Sequence, residues 1–335
     1  MKHRSLVVGL FSILILSASP QILAKSETES TRADENQQAQ YSALHYLQKM
    51  KHSYTQLNYE MLYLNTAQTK IDPQQFIHGV LDEKRIAYFR YLNGPMRESL
   101  QFKGTISYYE QGNRAYSLES TQDRSVFSNV ASFDFDSGNE NYEYIILGKG
   151  RIAGKQAIAI RMLSKDEYRY SYLIWLDIES YLPLRLDTIN QSNVALEQTM
   201  VMSLNVTESI NPWLAQLSTQ KIPEILHLSK ESAVERMQWQ IQWLPKGFHI
   251  IQDDQHKLMM HDTDPVSYFM LSDGLVRVSV YISTKEATGS EQVNIIQRGD
   301  TLLYTQQQSN IEINIIGEIP QATAEKIATS ISMVE

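Results

Sequence analysis

The chain has 335 residues, of which 42% are hydrophobic and 20% are charged, and it contains no cysteine. This length predicts about two domains with an ordinary globular core. The net charge of −8 argues against a general nucleic-acid binder, so no nucleic-acid partner is expected. The absence of cysteine excludes disulfides, thiol catalysis and a lipid anchor on a cysteine.

The first 24 residues have the pattern of a secretory signal peptide. Lys2 and Arg4 make the start basic, residues 6–16 are mostly apolar, and Ala24 provides a small residue before the expected cleavage site. The apolar run is shorter than the roughly 20 residues of a membrane-spanning helix, which leaves an uncleaved anchor as the minority alternative. We therefore expect a periplasmic protein, with a polar, disordered lead-in at residues 25–38.

The next segment predicts a large domain at residues 39–208 that begins with a helix. Ala43, Leu47, Met50 and Tyr54 recur at spacings of three and four, which places them on one helix face. From residue 57 the apolar period changes to two, and short turns separate the runs, which favours an antiparallel sheet. Residues 126–135 are expected to form a loop or short helix over one sheet face. The predicted strands are residues 57–64, 86–92, 105–109, 142–147, 156–163 and 195–206, with a hairpin at 169–187.

The hairpin, RYSYLIWLDIESYLPLRLD, is the most distinctive stretch of the chain. Tyrosines and aliphatic residues alternate along its first arm, and similar alternation occurs in two other predicted strands. If these side chains share a face, they line a hydrophobic cavity for an acyl chain. A shift of one residue in strand register would turn them to the opposite face. The alternative is an ordinary half-buried sheet. The candidate lipid-binding residues are Tyr59, Met61, Tyr63, Tyr144, Ile146, Tyr170, Tyr172 and Ile174.

Basic residues near the aromatic strands suggest where an anionic head group would bind. Arg90 and Arg97 are close in sequence to Tyr88, Tyr91 and Met96. A guanidinium pairs well with phosphate, so both arginines are candidates for head-group contact. The alternative is ordinary solvated charge at strand edges.

Residues 209–236 predict a linker, with short helical stretches at 213–217 and 224–228, and residues 237–335 predict a smaller α+β domain. Its expected strands are residues 275–282, 293–297, 301–306 and 311–316, with a closing helix after Pro320. No catalytic or nucleotide-binding motif is present, so an enzyme, a cofactor and a metal are not expected. A group of acidic and histidine residues at 253–264 is interpreted as a polar loop.

Several segments in the same order resemble the RseB/MucB family of periplasmic regulators of the sigma-E envelope-stress response. The matching pieces include the hairpin, WLPKGF at 243–248, SDGL at 272–275, Arg298 and Gly299 with Thr301, and GEIPQATAEKIA at 317–328. The resemblance implies an α+β fold: a large N-terminal domain with a curved antiparallel sheet and helices in its concavity, like the LolA/LolB lipoprotein carriers, and a smaller C-terminal domain.

The resemblance also implies a function. Family members bind the periplasmic domain of an anti-sigma factor of the RseA/MucA type and shield it from regulated proteolysis. They are thought to release it when lipopolysaccharide or mislocalised lipoprotein accumulates, through binding of acyl chains. A periplasmic lipid or lipoprotein carrier is the alternative, an unrecognised hydrolase is a third, and self-association into a homo-oligomer is left open.

Overall fold

The computed structural model describes residues 42–67, 70–120, 123–226, 238–256, 266–284, 292–308 and 310–334. The predicted signal peptide and lead-in lie outside these ranges. Within them, no helix combines the length and the apolar character needed to cross a membrane.

The large domain consists of one eleven-stranded sheet with helices packed against it, and every strand pair in it is antiparallel. Its elements are α1 (Ala43–Gln56), β1 (Asn58–Ala67), β2 (Lys70–Leu81), β3 (Lys84–Tyr91), β4 (Arg97–Phe102), β5 (Thr105–Glu110), β6 (Tyr116–Glu119), α2 (Ser128–Ser132), α3 (Phe135–Gly138), β7 (Tyr142–Ile152), β8 (Lys155–Ser164), β9 (Ser171–Asp177), β10 (Pro183–Ile189), β11 (Ala195–Thr207) and α4 (Pro212–Leu217). The strand order is β6-β5-β4-β3-β2-β1-β11-β10-β9-β8-β7. Two meanders, β1–β6 and β7–β11, therefore join where β1 pairs with β11.

Helix α1 covers the inner face of this sheet. Its N-terminus is capped by Ser42, whose Oγ accepts a hydrogen bond from the His45 N–H at 3.2 Å. The predicted stripe from Ala43 to Tyr54 is confirmed, because all four of its residues are buried against the sheet. The Tyr54 ring stacks on Phe76 of β2 with centroids 6.0 Å apart. The segment predicted at residues 126–135 also packs into this core through short helices.

The segment after β11 packs on the outer face of the sheet. Leu214 of α4 is fully buried there beside Ile77 and Tyr88. The helix predicted at 224–228 is wrong in its described part, since residue 225 forms a parallel bridge to Ser117 of β6. Edge strand β6 has backbone groups that need partners, and the extended segment supplies them.

The C-terminal domain is a smaller sheet domain with a nine-residue helix near its end. Its elements are β12 (Trp239–Ile241), β13 (His249–His256), β14 (Val266–Ser272), β15 (Arg277–Thr284), β16 (Gln292–Arg298), β17 (Thr301–Gln308), β18 (Ile311–Gly317), α5 (Gln321–Thr329) and β19 (Ile331–Met333). Six strands form one sheet in the order β13-β14-β15-β18-β17-β16, and β12 pairs with β19. The closing helix is confirmed, with Ala324, Ile327 and Ala328 buried. The predicted α+β class with two unequal sheet domains is therefore confirmed.

The polar stretch at 253–264 was expected to be a loop. Its first four residues instead end strand β13, and the rest lies outside the described residues. Among the residues that the structure describes, no cluster of His, Asp and Glu has a geometry that could hold a metal ion.

Candidate functional site: the interface between the two domains

The predicted hairpin is present as strands β9 and β10. Ile174 lies opposite Leu186, and Tyr172 lies opposite Thr188. The turn is held by Asp177, whose carboxylate accepts hydrogen bonds from the Ser180 N–H at 3.2 Å and hydroxyl at 2.6 Å. This local network explains why an acidic residue begins the turn.

Arg169, just before β9, joins the two domains through a buried ion pair. The side chain is only 1% exposed, and its Nη1 lies 3.2 Å from the Asp273 Oδ2 of the C-terminal domain. Its Nε donates to Asp166 at 3.0 Å, and its Nη2 donates to the carbonyl of Lys246. The guanidinium also lies 5.6 Å from the Phe248 ring. Several partners thus satisfy a charge that would otherwise be costly to bury.

Other polar contacts extend this interface on both sides of Arg169. The Tyr170 hydroxyl donates to the carbonyl of Ile319 at 2.9 Å, and Thr323 Oγ1 donates to the carbonyl of Tyr168 at 2.9 Å. Lys326 Nζ donates to the Tyr168 hydroxyl at 2.8 Å. The start of the hairpin is therefore buried against the C-terminal domain.

A cavity of about 130 Å³ lies between the domains. The large domain contributes Tyr172, Leu186 and Thr188 to its wall, and the C-terminal domain contributes Leu275 and Asp300 among others. Sites for drug-sized ligands are usually about 300–1,000 Å³. The cavity is thus too small for an acyl chain in this conformation.

The carboxyl groups of this cavity are electrostatically unusual. Thr188 Oγ1 donates to Asp300 Oδ2 at 2.8 Å. Burial, together with the nearby Glu318 and Glu197 carboxyls, raises the pKa of Asp300 to about 8. Burial and Glu197 raise the pKa of Glu318 to about 7. Both groups thus keep their protons to a higher pH than an ordinary carboxyl does.

The register brings the eight candidate lipid-binding residues to one face of the sheet. Across strands β7, β8 and β9, Ile146, Ile160 and Ile174 lie side by side in register. Tyr144, Met162 and Tyr172 form a second such row across the same three strands. Six of the eight are buried, whereas Tyr144 is half-buried and Ile146 is 39% exposed on edge strand β7. The six buried residues are Tyr59, Met61, Tyr63, Tyr170, Tyr172 and Ile174. Protein side chains fill this face, so its contact with lipid stays a prediction.

The two candidate head-group arginines lie on opposite faces of the sheet. Arg90 of β3 lies opposite Glu98 of β4, so these two residues share a face of the sheet. Arg97 directly precedes Glu98 in β4 and therefore belongs to the other face. Arg90 Nε donates to Gln75 Oε1 at 2.6 Å on the outer face. The Arg97 guanidinium lies 3.7 Å from the centre of the Tyr91 ring. One head group cannot contact both arginines, and Arg97 alone shares the face of the eight candidates.

Comparison with known proteins gives two family matches in order along the chain. The family model for the MucB/RseB N-terminal domain matches residues 42–226 of the sequence, and the family model for the MucB/RseB C-terminal domain matches residues 233–332. The chain belongs to the MucB/RseB family. This agrees with the resemblance seen in the hairpin and the C-terminal motifs.

Individual MucB and RseB proteins show how far the similarity extends. The chain is 30% identical to the sigma-E factor regulatory protein RseB of Escherichia coli K12 over 285 residues, which cover 85% of this chain and 89% of the relative. It is 26% identical over 206 residues to MucB of Pseudomonas aeruginosa, described as the sigma factor AlgU regulatory protein, covering 60% of this chain and 64% of that one. A solved P. aeruginosa MucA/MucB complex contains a chain of the same fold, with a TM-score of 0.70 at 21% identity, covering 88% of this chain and 99% of that chain.

The acidic residues at the interface of this MucB/RseB protein were not predicted as site residues. Asp273 lies in SDGL at 272–275, and Asp300 lies between Gly299 and Thr301; both segments carry the family resemblance. The missed signal was an acidic residue in each of these two turns. Their contacts with Arg169 and Thr188 span 104 and 112 positions of sequence, which no local pattern reveals.

Proposed function

We propose that this protein is a periplasmic regulator that binds the periplasmic region of an anti-sigma factor. The supporting observation is the match of both family domains along one chain, with 30% identity to a sigma-E factor regulatory protein over 89% of that relative. A related structure is MucB in complex with MucA(peri), which has the same two-domain fold. The protein acts by binding and not as an enzyme, and its effect is to shield the anti-sigma factor from regulated proteolysis.

The proposal includes sensing of lipopolysaccharide or mislocalised lipoprotein by the inner sheet face. Because α1 and the C-terminal domain now cover that face, an acyl chain requires a state in which one of them has moved away. Lipid releases the partner only if it prefers the partner-free state. Each buried methylene contributes roughly 0.8 kcal/mol, so a partly buried chain could offset a micromolar peptide contact of about 8 kcal/mol.

A lipid or lipoprotein carrier is the competing function. The buried contacts of Arg169 and Tyr170 with the C-terminal domain disfavour the carrier function. A carrier does not need a second domain packed against its sheet.

A pull-down separates the two functions. Tagged protein lacking residues 1–24 is incubated with a detergent-solubilised envelope extract, and bound proteins are identified by mass spectrometry. We expect a membrane-anchored anti-sigma factor to be retained, and tagged protein unfolded by heat provides the control. Retention of mature outer-membrane lipoproteins without an anti-sigma factor would contradict the proposal and support the carrier.

A further inference from the structure

Three carboxyl groups from both domains converge on the cavity between them. Asp300, in the turn between β16 and β17, is 8% exposed, and Glu318 directly follows β18. Glu197 of β11 faces them from the large domain. The Thr188 hydroxyl bonds Asp300 across the interface at 2.8 Å, so the acidic group is part of the contact between the domains.

The basic residue nearest to Asp300 in sequence is Arg298, which is exposed at the end of β16 and does not line the cavity. None of the described residues that line the cavity is a lysine, arginine or histidine. The α2 region contributes Ser125 and Asn129, and β9 contributes the neutral phenol of Tyr172. Three ionised carboxylates would therefore face one another without a compensating cation on the wall.

Groups just outside the wall do not change this balance. The Glu197 Oε1 accepts a hydrogen bond from the Asn65 amide at 2.7 Å, which is a neutral partner. Tyr170 lies close enough for Asp300 to affect its pKa, and it is also uncharged. Asp273 is a further carboxylate on the C-terminal domain, and its charge is matched by Arg169.

We propose that this cluster makes the contact between the domains proton-sensitive: the domains stay closed while Asp300 and Glu318 are protonated and loosen when both ionise. Closure against a wall without cations favours the neutral acids, because burial penalises their charged forms. Opening returns the carboxyls to water, where ionisation costs little.

The direction of the pH effect follows from proton linkage. In the closed state the pKa of Asp300 is raised to about 8 and that of Glu318 to about 7, above the ordinary values of 3.8 and 4.5. The closed state therefore binds more protons than the open state between about pH 4 and pH 8. The preference for closure is fully present at low pH and is lost as the pH rises through 7 and 8.

The test is a distance measurement by electron spin resonance on doubly spin-labelled protein. The chain has no cysteine, so Gln111→Cys and Asn310→Cys place one label in an exposed turn of each domain. We expect the ratio of closed to open molecules to fall by about tenfold or more between pH 6 and pH 9. A distance distribution that is the same at both pH values would overturn the proposal.

Neutral variants locate the effect. In the labelled Asp300→Asn/Glu318→Gln protein, the carboxamides stay uncharged and still accept hydrogen bonds, so the domains should remain closed up to pH 9. The control pair Glu119→Gln/Glu325→Gln removes one exposed carboxylate from each domain and should open with pH like the unsubstituted labelled protein. If the Asp300→Asn/Glu318→Gln protein opens with the same pH dependence as that control, the cluster is not the switch.

Discussion

Replacing Arg169 by methionine should lower the free energy of unfolding by about 3–5 kcal/mol. The change leaves the Asp273 carboxylate, whose side chain is 1% exposed, without its cationic partner. Methionine roughly fills the volume of the arginine's aliphatic stem, so the loss reports on the guanidinium and its contacts with Asp166, Asp273 and Lys246. Urea unfolding followed by tryptophan fluorescence gives the difference.

Two variants test whether the lost stability comes from the buried ion pair. Arg114→Met breaks the pair with Glu224 at 3.1 Å, where both side chains are well exposed, and should cost no more than about 1 kcal/mol. The double variant Arg169→Met/Asp273→Asn removes both buried charges, and its carboxamide oxygen can still accept the Leu275 and Val276 N–H groups, so it should be more stable than Arg169→Met alone. An Arg169→Met protein as stable as Arg114→Met would show that the interdomain ion pair is not formed in solution.

The Tyr172→Asp protein should be destabilised by about 4 kcal/mol or more. Tyr172 is 5% exposed, and the substitution leaves a cavity in the core and adds a carboxyl beside Asp300 and Glu318. Burial already raises the pKa of the Tyr172 phenol well above its ordinary value, as expected where a negative charge is disfavoured. The loss should be smaller at low pH, where the new carboxyl is protonated.

The matched control for Tyr172→Asp is Met202→Asp, which introduces the same group on β11 at a position that is 53% exposed. We expect a change within about 0.5 kcal/mol there. Thermal unfolding at pH 5 and pH 7.5 compares the two variants. Equal stability of both proteins would mean that Tyr172 is not packed between the domains.

The sequence predicts the α1 stripe and the hairpin well because each has a complete local period. The stripe from Ala43 to Tyr54 repeats over three helical turns, and the hairpin combines alternation with an acidic turn. Strand β2 was missed, because Asp72, Pro73 and two glutamines interrupt its apolar pattern. Its pairing with β1 and β3 on both sides overrides that weak local preference.

The interface was less accessible to sequence reasoning than the sheet. Alternation correctly placed Tyr170 and Tyr172 on the face of Tyr59 and Tyr63, because strand parity is local. Alternation could not show that the C-terminal domain covers Tyr170 and Tyr172. Nor could it place Arg90 and Arg97 on opposite faces, since β4, which carries Arg97, was not among the predicted strands.

One titration tests most directly whether this protein regulates an anti-sigma factor by binding it. A fluorescently labelled periplasmic fragment of the anti-sigma factor from the same organism is titrated with protein lacking residues 1–24, and anisotropy reports binding with and without lipid A. We predict saturable binding with a dissociation constant near or below about 1 μM, weakened by lipid A. Binding that lipid A leaves unchanged would contradict the sensing step. No binding at tens of micromolar protein would contradict regulation by binding of the anti-sigma factor.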